Sequence, residues 1–389
     1  MSATRLRVLH LGSPTGLYGA ERWILALVKH LPATEIESIV GAIKDAPGGF
    51  PPLCEHAASM GLRTAVFEAH GKLSLAAIGQ MKKFIRENRI DILHTHGYKT
   101  DVLGRPAVLG TACKVVSTPH GWSSNAGPML RIYEALDRLS FYFLDAVVPL
   151  SDDLYRGLRK LPGLGSKLHL IGNGVDLSEV DATKQLADEV RDWRAAGDTV
   201  VGYIGQLIPR KGIDTLIRAF SQLPMKNRRL CLVGEGPQRA ELEQLTAQLG
   251  ETARVHFLGY RPDRIALLKG FHAFVLPSEL EGTPRCLLEA MAANVPIAAT
   301  DIPGCRTLIR PGETGELFKF GDSKGLLVAL SRLLESPEYS ASTAAAAQQF
   351  VRAEFSAETM AARYLELYRQ VLNGARRETV GVPRLPDAP

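Results

Sequence analysis

Apolar runs of strand length alternate along this chain with longer segments whose apolar residues recur every three or four positions. In the first half the short runs are Arg7–Leu11, Glu37–Ile43, Leu62–Phe67, Asp91–His94, Lys114–Thr118, Ala146–Pro149 and His169–Ile171. Helical periodicity predicts helices over Gly19–His30, Leu75–Glu87, Tyr98–Leu109 and Pro128–Phe143. Gly172-Asn173-Gly174-Val175-Asp176 then predicts a turn, and charged residues without strand patterning run on to about Asp198. A second series follows, with strands over Val200–Ile204, Leu230–Val233, Val255–Leu258, Phe274–Leu276, Ile297–Thr300 and Gly315–Phe318. Its helices are expected over Gly212–Leu223, Gln238–Leu249, Pro284–Ala293 and Ser323–Leu334, with Tyr339–Arg352 and Ala357–Leu372 closing the fold. Strands alternating with crossover helices specify an α/β protein with parallel sheets. The expected domains are residues 1–178 and 179–356, and the Pro- and Arg-containing tail 374–389 is expected to be disordered.

Composition narrows the class without naming a chemistry. A chain of 389 residues is comfortable for two domains. Its formal charge of +5 is too mild for a nucleic-acid signature. Five scattered cysteines (Cys54, Cys113, Cys231, Cys286 and Cys305) lack metal-type spacing and read as reduced thiols of a cytoplasmic protein. The first residues run directly into a strand without a signal peptide's apolar segment, and no apolar run approaches the roughly 20 residues needed to span a bilayer.

Candidate chemistry gathers at predicted strand ends. Ser278-Glu279-Leu280-Glu281-Gly282-Thr283-Pro284-Arg285 leads from a strand into a helix that carries Glu289. One carboxylate, Glu281, therefore lies in the loop above the strand and the other about a turn into the helix. In an open α/β sheet, ligands bind in the crevice at that end. The turn Gly205-Gln206-Leu207-Ile208-Pro209-Arg210-Lys211-Gly212 likewise joins a strand to a helix. Its adjacent cations can clamp a diphosphate, Arg210 by a bidentate fork and Lys211 as a point charge.

The first of these segments is similar to the donor-site signature of retaining family-4 glycosyltransferases, which have the GT-B fold. It matches that pattern through Ser278, Glu281, Gly282, Pro284 and Leu287-Leu288-Glu289-Ala290-Met291, with Thr283 where Phe is usual. The resemblance extends over nearly the whole chain. It implies two Rossmann-like parallel-sheet domains facing each other across a cleft, the first on the acceptor side and the second holding the donor, with helix 357–373 returning to the first. It further implies that Gly205, Arg210 and Lys211 hold the diphosphate, that Glu281 orients the sugar, and that Glu289 takes the ribose hydroxyls. Gly282, Thr283, Pro284 and Arg285 complete that strand-to-helix donor loop.

Other segments resemble the family in turn. Gly12-Ser13-Pro14-Thr15-Gly16-Leu17-Tyr18-Gly19-Ala20-Glu21-Arg22 is similar to its Gly-Gly-Ala-Glu-Arg turn, which places Gly16 and Gly19 near the donor phosphate. His120, in Thr118-Pro119-His120-Gly121-Trp122, matches a histidine that contacts the donor sugar. Gly234, in Val233-Gly234-Glu235-Gly236-Pro237, and Tyr260 and Arg261 in the next turn match the cradle for base and ribose. The catalytic set implied is Glu281, His120, Arg210 and Lys211. No cofactor or metal is expected. His94 and His96 alternate after a strand, yet no third ligand with suitable spacing is visible, so they are expected to line the cleft or meet the acceptor. The expected partners are a nucleotide-sugar donor and a glycan or polyprenyl-linked acceptor, at the inner face of the membrane. Met81–Arg86 and Arg138–Phe143 mix cations with large apolar residues, as a docking face would, although helices packed on a sheet have the same pattern. Rival readings are an inverting transferase or sugar-nucleotide epimerase of the same fold, with His120 or Asp101 as base, and a non-catalytic donor-binding subunit.

Overall fold

The computed structural model describes residues 5–13, 19–45, 49–71, 74–119, 136, 138–150 and 152–374. They form two compact units, one made of residues up to 174 together with the helix from 357 onward, the other of residues 175–356. The first unit holds strands β1 (Leu6–Gly12), β2 (Ile36–Asp45), β3 (Arg63–Ala69), β4 (Ile92–Thr95), β5 (Lys114–Ser117) and β6 (Ala146–Val147). The second holds β7 (Thr199–Ile204), β8 (Arg228–Val233), β9 (Val255–Gly259), β10 (Ala273–Leu276), β11 (Ile297–Thr300) and β12 (Glu316–Phe318). All pairings in both sheets are parallel. The orders are β3-β2-β1-β4-β5-β6 and β12-β11-β10-β7-β8-β9.

Strands covered by helices on both faces must be apolar on both. Val8, Leu9 and Leu11 in β1 are accordingly buried, as are Phe274, Val275 and Leu276 in β10. Each order reverses once, between β1 and β4 and between β7 and β10. Connections leave those two strands toward opposite sides, so a crevice opens above their carboxyl ends.

The helices cover the sheets with narrow apolar stripes. In Leu75–Glu87 the buried residues are Ala77, Met81 and Ile85, one helical face, and Ser74 caps the helix by accepting from Ala77 N–H. Phe84 packs edge-on against Phe67. Met81–Arg86 thus points its apolar side into the sheet, the packing reading of that segment. In Arg138–Phe143, by contrast, Phe141 is buried while Leu139, Tyr142 and Phe143 stay exposed. The helix Ala357–Asn373 belongs to the first unit, where Met360, Ala361, Tyr364, Leu365, Leu367 and Tyr368 pack with Trp23, Leu27 and Val116.

Several elements differ from the periodicity reading. The segment His169–Ile171 makes no named strand; Leu168 forms one bridge to Val147. Most of Pro128–Phe143 lies outside the described residues, and Phe141–Phe143 winds into a 3-10 turn. The charged crossover contains two helices, Leu177–Ala182 and Asp188–Ala195. Pro52–Ser59, Asp152–Arg159, Arg264–Leu268 and Pro303–Arg306 are also helical. These are too short to display a repeating apolar stripe. Tail residues 375–389 lie outside the described residues. All five cysteines are free, and burial raises their thiols, Cys54 to about 11 and Cys113 and Cys286 to about 12. They are inert packing groups. No helix among the described residues is long and apolar enough to cross a membrane.

Tyr364 anchors the returning helix, with its ring against Trp23 and His94 and its hydroxyl 2.9 Å from Thr118 Oγ1. Tyr364→Ala should lower the unfolding free energy by about 3–5 kcal/mol, the cost of truncating a buried aromatic. A urea titration checks this, and a loss below about 1 kcal/mol would mean the helix is not integral to the first unit's core.

Candidate functional site

In the second unit the turns that follow β7, β8, β9 and β10 are stitched to one another through backbone groups. Gly205 N–H donates to Val233 O at 2.9 Å, Leu207 N–H to Glu235 O at 2.9 Å, Gly234 N–H to Gly259 O at 2.8 Å, and Glu279 N–H to Arg210 O at 2.8 Å. Such closeness depends on glycine. A Cβ on Gly234 would stand 1.9 Å from Gly205 O, and one on Gly304 would stand 1.9 Å from Gly282 O. The turn at Gly304, with Cys305, Leu308 and Ile309 in the core, therefore supports the Glu281 loop from beneath.

The β7 turn winds into a single 3-10 turn, Pro209–Lys211, before the helix Ile213–Ser221. It carries Arg210 and Lys211 to the loop after β10. Arg210 donates through Nη1 to Leu280 O at 3.0 Å, and Lys211 Nζ pairs with Glu281. Both side chains of that pair are largely covered, at 12% and 13% exposure. Lys211 is thus not the solvated group that a surface turn would give, whereas the contact of Arg210 is exposed. The residues assigned from sequence to diphosphate and sugar, Arg210, Lys211 and Glu281, converge on one point at the reversal between β7 and β10.

Glu289 is placed differently. It sits buried in the helix Arg285–Ala292, where Oε1 accepts from Arg264 Nη2 at 2.9 Å and from Arg285 Nε at 3.1 Å. Oε2 accepts from Arg264 Nε at 3.1 Å. Arg264 also forks onto Glu179 with two contacts of 2.8 Å. Burial would raise the Glu289 carboxyl, but the charges of Arg264 and Arg285 outweigh it and hold it at about 2. Arg285 keeps one buried guanidinium nitrogen, Nη1, without a hydrogen-bond partner among the described residues.

Arg261 forks onto Glu189 and Asp263, which raise its already high pKa further. Its side chain fastens the crossover helix Asp188–Ala195 to the β9 turn, and it is not turned out as a ligand group. Tyr260 beside it is exposed. Sequence reasoning missed Arg264 and its partner Glu179. Neither sits in a recognisable motif, and the only signal was the density of carboxylates in the crossover.

In the first unit Gly19 opens the helix Gly19–His30, and a Cβ there would meet nothing within 4 Å. Gly16 and His120 lie outside the described residues. Asp101 is fully buried, with one carboxylate oxygen accepting from Thr95 Oγ1 and the other from Ser117 Oγ at 2.9 Å. That use as a structural anchor leaves it unsuited to serve as a base. His94 places one ring nitrogen 2.7 Å from the Tyr368 hydroxyl and the other 2.8 Å from Thr118 Oγ1. His96 follows on the same side, and His10 of β1 stands beside His94 in register.

Comparison with known proteins is consistent across the chain. A family model described as Glycosyltransferase Family 4 matches residues 18–179, and one described as Glycosyl transferases group 1 matches residues 188–350. The chain is 25% identical over 303 residues to an N-acetyl-alpha-D-glucosaminyl L-malate synthase of Bacillus anthracis, covering 77% of this chain and 79% of that one. It is 27% identical over 266 residues to a UDP-Gal:alpha-D-GlcNAc-diphosphoundecaprenol alpha-1,3-galactosyltransferase of Escherichia coli, covering 65% and 68% respectively. Among solved structures it is similar to Anabaena Alr3699/HepE in complex with UDP, with a TM-score of 0.81, 21% identity, and 94% of this chain against 100% of that one. At that identity the likeness is one of fold.

Because Glu289 is held near 2 in the folded state against an ordinary value of 4.5, its contribution to stability is present above about pH 4.5 and is lost as pH falls toward 2. In that window the unfolded chain takes up a proton that the folded chain refuses, so acid favours unfolding. Glu289→Gln should flatten this acid slope and also cost about 3–5 kcal/mol at neutral pH, since it removes the charge that Arg285 and one edge of Arg264 share in a buried site. Chemical denaturation at pH 7 and pH 4 measures both effects. An unchanged acid slope in the variant would show that Glu289 is not the group responsible.

Proposed function

We propose that this chain, which belongs to the family-4 glycosyltransferases with the GT-B fold, moves a hexose from a nucleotide-diphosphate sugar to a hydroxyl of a glycan or lipid-linked acceptor. The reading includes retention of the donor's anomeric configuration, a transfer step that uses no metal, and a role in making cell-surface polysaccharide or lipopolysaccharide. The observation that carries it is the convergence of Arg210, Lys211 and Glu281 on the strand reversal of the second unit.

When the sugar–phosphate bond breaks, negative charge builds on the diphosphate. Two cations fixed in place beforehand stabilise that charge without reorganising during the reaction. Arg210 supplies the fork and Lys211 the point charge, and the donor phosphate replaces Leu280 O as the partner of Arg210. Glu281 holds the Lys211 ammonium in register and offers its other carboxylate oxygen to a sugar hydroxyl. Glu289, with a single hydrogen bond on Oε2, has room to accept from the ribose, and the arginines keep it ionised for that task. Buried Arg285 Nη1 supports the same reading, being a donor in want of an acceptor.

In this reading the acceptor hydroxyl attacks from the side on which the diphosphate leaves and passes its proton to that group. The engagement of Asp101 by Thr95 and Ser117 argues against Asp101 as the base of the inverting alternative, whose other candidate, His120, lies outside the described residues. A nucleotide-sugar donor is also supported by the UDP complex of the Anabaena structure, and a lipid-linked acceptor by the diphosphoundecaprenol substrate in the name of the Escherichia coli relative. Exposed Leu139, Tyr142 and Phe143 fit a docking face for the cytoplasmic side of the inner membrane.

Arg210→Ala should lower kcat by about 100-fold or more with the fold intact, as expected for loss of one transition-state donor. Lys211→Ala should do the same and also lose stability, since it leaves Glu281 half-buried and unpaired. Steady-state kinetics with UDP-, GDP- and ADP-sugars and lipid-linked acceptors would test this; an Arg210→Ala enzyme of normal turnover would remove Arg210 from the site.

An α-linked donor should give an α-linked product, and turnover should need no added Mg²⁺ or Mn²⁺ and should persist in EDTA. A β-linked product in the NMR spectrum would place the chain among inverting enzymes. A strict dependence on Mg²⁺ or Mn²⁺ would mean that the cations do not neutralise the diphosphate.

A further inference from the structure

The parallel pairing of β1 with β4 sets His10 directly opposite His94, and His96 follows two residues on. We propose that His10, His94 and His96 form a site for one divalent transition metal of the zinc class, separate in chemistry from the diphosphate grip of the second unit. The ligand nitrogens of the three imidazoles all lie within 4.8 Å of one another. Their ring centroids are 5.4, 6.2 and 4.1 Å apart. A tetrahedral ion with bonds of about 2.0–2.1 Å sets nitrogens about 3.3 Å and centroids about 5 Å apart, so small ring rotations close the set.

His10 gives this cluster its direction. It is wholly buried, and neither of its ring nitrogens has a hydrogen-bond partner among the described residues. An imidazole left in that state forfeits the free energy of its lost water contacts, about 1–3 kcal/mol, with nothing in return. A bound ion is an acceptor for that lone pair. His94 joins the set by exchanging one of its two hydroxyl contacts for the ion, and the contact it keeps, to Tyr368 or Thr118, is the outer one that orients metal-bound histidines. Tyr364, 2.9 Å from Thr118 Oγ1, extends that outer layer.

The ligand set also specifies the ion. Three neutral imidazoles suit Zn²⁺, Ni²⁺ and Cu²⁺, whereas Mg²⁺, Mn²⁺ and Ca²⁺ require oxygen ligands. A three-histidine site also leaves one position open to a water or another small ligand. The ion would tie β1 to β4 at the strand reversal of the first unit, under the returning helix that carries Tyr364 and Tyr368.

The test uses the full-length, untagged chain, stripped with chelator and titrated with Zn²⁺ and Co²⁺. Equilibrium dialysis with elemental analysis gives stoichiometry, and the visible absorption of Co²⁺ reports coordination geometry. The expected result is one ion per chain with tetrahedral Co²⁺ bands, no uptake of Mg²⁺, and retention of the ion by His56→Ala, which changes an exposed histidine. His10→Phe replaces an unpaired buried ring by an apolar one and should keep the fold. His96→Ala supplies a second variant, with circular dichroism to confirm folding. Each should weaken binding by more than the roughly 10–100-fold that outer-layer changes cost. Failure of the wild-type chain to bind either ion stoichiometrically would overturn the proposal, as would undiminished binding in folded His10→Phe or His96→Ala.

Discussion

In each sheet one pair of neighbouring strands sends its connections to opposite sides, and the arrangement of the functional groups depends on that divergence. The reversal between β7 and β10 allows a turn from one strand and a loop from another to meet without a helix between them. Arg210 and Lys211 arrive from one side and Glu281 from the other. Backbone hydrogen bonds then hold the surrounding turns at fixed spacing, so the charged side chains project from a rigid platform. The corresponding reversal in the first unit gathers three histidines by the same geometry. A parallel sheet therefore positions these groups by its strand order, and residue identity only fills the places so created.

Charge in the second unit is organised in two ways. Lys211 and Glu281 make an isolated half-buried pair with limited further bonding. Arg264, Glu179, Glu289 and Arg285 make a chain of alternating charges in which each carboxylate is gripped by guanidinium forks. Planar forks lose little freedom on binding carboxylates, which suits the second arrangement to buried use. The first pair stands alone at the strand reversal, so two carboxylates of one short segment, Glu281 and Glu289, sit in different charge environments.

Much of the strand pattern was legible because apolar runs buried on both faces are hard to mistake. The helices Gly19–His30 and Leu75–Glu87 were equally clear, each carrying a full apolar stripe. The adjacent cations and the Glu281 loop could be read because strand-end turns are where an α/β sheet places ligands. What could not be read depended on contacts between distant segments. Arg264 gives no local sign that it will lie between Glu179 and Glu289. The crossover seemed featureless because its work is done by carboxylates, Glu179 toward Arg264 and Glu189 toward Arg261. His10 is an unremarkable strand residue until the sheet order makes it a neighbour of His94. Asp101 resembled a base by type alone, and only its two hydroxyl partners show its structural use.

The second unit is continuous in sequence, and its ends meet: Val175 N–H donates to Phe355 O at 2.8 Å, and Val175 and Ser356 form a bridge. The first unit is interrupted by it and closes only with the helix Ala357–Asn373. A ribosome therefore releases every residue of the inserted unit before it makes Tyr364 and Tyr368. Domains of a growing chain ordinarily fold in the order in which they emerge. Here that order is inverted: the amino-terminal sheet, with Trp23 and His94 still uncovered, must wait for the last helix, while the unit that follows it can already be complete. The period of greatest exposure during synthesis thus belongs to the segment made first.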